Sequence, residues 1–95
     1  MTDNDAPGPG DPHVNFDAPA VLRKWPSFNN ERRIDGSGPY LVVDGTLEEC
    51  IREFMAKPIP YRHLYDIYTS PQPPLVPETL SGEIVTELAR LREFL

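Results

Sequence analysis

The chain of 95 residues carries 15 acidic against 9 basic side chains, a formal net charge of −6, together with 12 prolines and one cysteine. That length allows one small domain. The acidity argues against a general nucleic-acid binder and against an anionic membrane surface as main partner, and a single thiol can build neither an internal disulfide nor a cysteine-based zinc cluster. No apolar run of about 18 residues is present for a transmembrane helix. The opening MTDNDAPGPGDPH is acidic and lacks an apolar core, so no secretory signal is expected and a cytoplasmic location is.

Residues 1–38 are rich in Pro, Gly, Asp and Asn, and their apolar residues fall on neither a strand nor a helix period. Such a stretch buries too little surface to offset its conformational entropy, so a disordered tail is expected. Within it, residues 18–34 (APAVLRKWPSFNNERRI) hold four of the nine basic residues. Arg23, Lys24, Arg32 and Arg33 against Glu31 give a local charge of +3, beside the only tryptophan, Trp25, and Phe28. Tryptophan and arginine dominate interface energetics. Leu22, Arg23, Lys24, Trp25, Phe28, Arg32 and Arg33 are therefore the candidate partner-binding residues. They would either dock on another macromolecule or form a strap on the acidic body of their own chain. Gly36-Ser37-Gly38 reads as a hinge; the strand, lysine and helix of a phosphate loop are missing around it.

Beyond the hinge, YLVVD (residues 40–44) reads as a buried strand ended by Asp44-Gly45. Thr46 with Glu49 three residues on is a capping-box pattern. Leu47, Cys50, Ile51, Phe54 and Met55 share one helical face, predicting a helix over 47–57 stopped at Pro58. YRHLYDIYT (61–69) fits either period, and its tyrosines and bracketing prolines favour a strand. SPQPPLVP (70–77) is expected to run extended as polyproline II, more as a semi-rigid connector than as an SH3-type ligand. The last helix is expected from Ser81, with Leu80 and Val85 as a hydrophobic staple and Ile84, Val85, Leu88, Leu91 and Leu95 as its buried face.

The expected fold class is α+β: a small β-α-β-extended-α domain over residues 39–95, with a short two-stranded parallel sheet, preceded by the tail. Fifty-seven residues bury only about 60% of their unfolded surface, which calls for a second copy, giving a homodimer, or for the tail folding back.

The candidate chemistry is weak. Cys50 and His63 are the one nucleophile–base pair to consider, but Cys50 falls mid-helix beside Glu49 and Glu53, where a buried structural thiol is the simpler reading. His13, His63, Asp44 and Asp66 match no metal-ligand spacing, so no metal and no cofactor is expected. The helix glutamates read as solvated faces, and Tyr40, Tyr61, Tyr65 and Tyr68 as core fillers rather than a base-stacking platform. The expected function is a non-enzymatic protein-interaction or regulatory protein whose tail orders on contact. The alternatives are a small dimeric enzyme using Cys50 and His63, or a nucleic-acid-associated regulator using the 23–33 basic patch.

Overall fold

The computed structural model describes residues 14–33, 35, 36 and 38–93. Residues 1–13, including His13, and also Ile34, Ser37, Phe94 and Leu95 lie outside the described residues. The protein is α+β. Six strands, β1 (Pro19–Lys24), β2 (Ser27–Phe28), β3 (Glu31–Arg32), β4 (Tyr40–Thr46), β5 (Tyr65–Thr69) and β6 (Thr79–Leu80), accompany two α-helices, α1 (Leu47–Met55) and α2 (Gly82–Glu93). The main sheet has the order β4-β1-β5-β6 with every neighbouring pair antiparallel, and β2 and β3 form a separate hairpin.

The expected sheet of two adjacent parallel strands is corrected here. Strands β4 and β5 do run in the same direction, since both are antiparallel to β1, as a helical crossover between them requires. But β1, from the segment expected to be loose, lies between them. The physical reason is the shortage of surface already noted: a 39–95 unit is thin, and inserting PAVLRK supplies a central strand. On that strand Ala20 and Leu22 point into the core while Pro19 and Arg23 point out, the period of two of a half-buried strand. The registers Leu22↔Val43, Leu22↔Ile67 and Ile67↔Leu80 make one row of apolar side chains across all four strands.

Helices α1 and α2 pack on that face and on each other, and Leu22, Leu47, Cys50, Ile51, Phe54, Ile67, Val76, Leu80 and Val85 are fully buried. Phe54 meets Tyr65 edge-on, centroids 6.5 Å apart. The capping box on α1 forms as read: Thr46 Oγ1 accepts from Glu49 N at 3.1 Å, and Thr46 N donates to Glu49 Oε1 at 2.8 Å. The helix ends at Met55 with Ala56 as its cap. Arg62 then donates to the carbonyls of Met55 (2.7 Å) and Lys57 (2.9 Å), satisfying acceptors that a helix end leaves free. Leu80 and Val85 are both fully buried at the start of α2, while Ile84 and Leu91 stay half-buried and Ala89 joins the buried face.

Two further elements differ from expectation. The 61–69 segment divides: Ile59–Leu64 is a 3-10 helix and only Tyr65–Thr69 is strand, because Pro60 suits the first turn of a helix and the strand begins where the chain meets β1. The proline run is not a polyproline II connector. Its chain turns back, with Gln72 N donating to Val76 O (2.7 Å) and Val76 N to Gln72 O (3.0 Å), and Val76 is buried beneath it. The side chain of Gln72 also clasps Asn15 by both of that residue's backbone polar groups, at 2.7 and 3.1 Å. That clasp, with Val14 and Ala18 buried and Glu48 N donating to Phe16 O at 2.9 Å, ties residues 14–18 into the body.

Candidate functional site

The anchor-rich segment turns on its own fold. Leaving β1, the chain bonds Trp25 N to Leu64 O (2.7 Å), makes the β2–β3 hairpin, and closes it with Arg33 N to Pro26 O (2.7 Å). Asn29 and Asn30, at φ 55° and 60°, form its two-residue turn; both positions need a left-handed backbone, which asparagine tolerates. The hairpin lies against the 3-10 helix, where Asn30 Nδ2 donates to Pro60 O (3.0 Å) and His63 Nε2 sits 2.6 Å from Asn30 O.

Beneath it Asp66 collects three donors. Arg32 binds its carboxylate in a two-pronged pair at 2.9 and 3.0 Å, and the Trp25 indole Nε1–H donates at 2.9 Å. The guanidinium also donates to His63 O (2.6 Å) and lies over the Trp25 ring, 5.4 Å from its centroid. The acid's side chain is 8% exposed and the arginine's 32%, so the pair is partly desolvated and its fork geometry is the strong form of such a contact. Trp25 and Arg32 therefore hold the chain's own hairpin. Leu22 is corrected as a partner contact: it is fully buried in the core. Arg23 is exposed and leans over the Tyr68 ring at 5.5 Å, and Lys24 lies 5.9 Å over Tyr65. Phe28 and Arg33 remain exposed on and beside the hairpin, with Arg33 3.6 Å from Asp35.

Cys50 is fully buried, and burial, then the negative charges of Glu49 and Asp44, push its thiol up to about 11. A thiol held protonated is a poor nucleophile. His63 is turned to the Asn30 carbonyl, and no hydrogen bond joins it to Cys50. No group of three or more His, Cys, Asp or Glu among the described residues is placed to hold a metal ion. Tyr65 and Tyr68 face opposite sides of the sheet, and burial with Asp66 raises the Tyr68 phenol against the opposing pull of Arg23 and Arg32.

The exposed apolar surface lies instead on β4. This strand was expected to be buried, yet it is an outer strand of the sheet, with Tyr40, Leu41 and Val42 at 51%, 54% and 38% exposure. Its seven residues contain no proline, lysine or arginine, the devices that commonly blunt an edge. Two such devices are present: the exposed charge of Asp44, and a slip of register between Leu22↔Val43 and Arg23↔Leu41 that leaves Val42 as a bulge. The opposite edge, β6, is only two residues long and follows Pro77. The sheet thus has one closed edge and one open one. The signal in the sequence was the apolar run itself, which reads the same for an inner and an outer strand.

No known family model matches the chain, and neither does any curated protein or solved structure. No helix among the described residues is long and apolar enough to cross a membrane.

Proposed function

We propose that this chain is a non-enzymatic protein-interaction module whose recognition element is the open edge of β4, working by strand addition. The observation that carries the reading is a seven-residue outer strand exposing Tyr40, Leu41 and Val42. An added strand gains main-chain hydrogen bonds along such an edge and specificity from alternate side chains. The helices cover only one face of the sheet, so a bound strand is reached by water and by partner side chains on the other face, beside Arg23 and Leu41.

This reading moves the interaction site away from the Trp25/Arg32 segment and gives that segment a different task. It fixes the hairpin, and with it the return of the chain into β4. The buried, protonated thiol supports a binding role over covalent chemistry.

The test is a photo-crosslinking amino acid at position 40 of the full chain, in cells, with the same residue at exposed Ile59 as control. The proposal expects discrete covalent adducts from position 40. Adducts from position 59 with none from position 40 would contradict it.

A further inference from the structure

We infer that the occupant of the β4 edge is a second copy of this chain, paired antiparallel about a two-fold axis near Val43. The inference rests on the strand-addition reading and names its partner.

Complementary charge and closure of the sheet both favour a second copy. Along the edge, charge is polarised. At the Tyr40 end the neighbouring residues on β1 are basic, Lys24 opposite Tyr40 and Arg23 opposite Leu41. At the other end stands Asp44, opposite Val21, followed by the first turn of α1 with Glu48 and Glu49. Those two glutamates are already engaged, Glu48 with Arg52 and Arg92, and Glu49 with the Thr46 amide. Arg23 and Asp44 are not: neither makes an ion pair among the described residues. Both belong to the face of the sheet away from the helices, since their register partners Asp66 and Val21 lie there.

Antiparallel pairing of two such edges sets the basic end of each against the acidic end of the other. Strands lie about 4.8 Å apart, so β1 of one copy runs about 10 Å from β4 of the other, within joint reach of an arginine and an aspartate. The Arg23–Asp44 contact then occurs twice, as a two-fold axis demands, while Val43 of one copy meets Val43 of the other on the axis, with Val42 and Leu41 opposite Asp44 and Gly45 of the second copy. The pairing also stops at two copies, because the remaining edge, β6, is too short to add another strand. A single strand edge buries less than the roughly 800 Å² per partner of a standard interface, and the Val42 bulge removes part of the ladder. The dimer is accordingly weak and concentration-dependent.

Sedimentation equilibrium of the full chain tests this by complementation. Asp44→Lys alone sets lysine against Arg23, and Arg23→Glu alone sets glutamate against Asp44. Each is expected to weaken self-association about tenfold or more. An equal mixture of the two variants restores opposite charges at both contacts and is expected to associate at least as tightly as wild type. A mixture no tighter than either variant alone would overturn the inference, as would a wild-type chain that stays monomeric at every concentration.

Arg23→Glu also faces Asp66 and can unfold the chain, so a second measurement uses the intact edge. Spin labels on Tyr40→Cys, with the buried Cys50 unlabelled, are expected about 20 Å apart in the dimer; a distance beyond about 30 Å would contradict the register. Crosslinks from position 40 to a different protein, with a monomeric chain, would keep the docking reading and remove self-pairing.

Discussion

Arg32 and Asp66, 34 positions apart in the chain, close on each other through two parallel hydrogen bonds of 2.9 and 3.0 Å. Trp25 completes the carboxylate from the side. The contact converts a polar, proline-broken stretch into an ordered hairpin, and it does so from the sheet face opposite the helices.

Removing Arg32 leaves Asp66, 8% exposed, with one remaining donor. Arg32→Ala is therefore expected to cost about 2–3 kcal/mol, mostly the penalty of an incompletely paired buried carboxylate. Urea denaturation would measure it, and Trp25 emission should shift to the red in the folded state. A cost under about 0.5 kcal/mol with unchanged emission would show that the knot does not hold the hairpin.

The strand β1 is the centre of the sheet, with Leu22 in register with both Val43 and Ile67. Leu22→Ala is expected to destabilise the chain by about 2–5 kcal/mol. A fragment of residues 39–95, lacking that strand, should show no cooperative unfolding transition by circular dichroism. A fragment that unfolds cooperatively would restore the two-part organisation read from composition.

Strand β1 was not legible in the sequence, for a definable reason. In PAVLRK only Ala20 and Leu22 mark the inward face, too few for a period to stand out, and Arg23 and Lys24 sit in a central strand because aromatic rings take their charged ends. Helix α1, by contrast, was legible to its first residue, because a capping box and five apolar positions on one face are local signals. The site was half legible. Trp25 and Arg32 stood out in the sequence as candidate partner-binding residues, but the group they bond in the fold is Asp66 of the same chain, and only the register of β5 against β1 brings it there. YLVVD was legible as a strand and not as an edge, since its neighbours are set by topology.

Gly45 stands where a Cβ would run into the Glu49 carboxylate that closes the capping box. Gly45→Ala is expected to turn that carboxylate away and cost about 1 kcal/mol; Thr46→Ala, losing the other half of the box, should cost a similar amount. Thermal unfolding of the two single variants and the double would show less than additive loss. Full additivity would separate the glycine from the cap.

The Cys50 thiol rises from an ordinary value of 9.0 to about 11 on folding. The folded chain therefore holds its proton through a range where the unfolded chain loses it. The resulting stability is complete below pH 9 and is lost as pH climbs toward 11. Denaturation midpoints should fall across that window in wild type and fall less in Cys50→Ala. A thiol reagent at pH 8 should react only as fast as the chain opens; rapid reaction with the native chain would contradict a buried, protonated sulfur.

Amide hydrogen exchange of the full chain, dilute and concentrated, tests the open edge of β4 most directly. When dilute, amides of residues 40–45 that face away from β1 should exchange quickly while those of Leu22 and Ile67 stay protected, and on concentration the outward β4 amides should slow. Outward amides already as protected as Leu22 in the dilute chain would contradict the open edge, and outward amides that exchange at the same fast rate at every concentration would remove self-pairing.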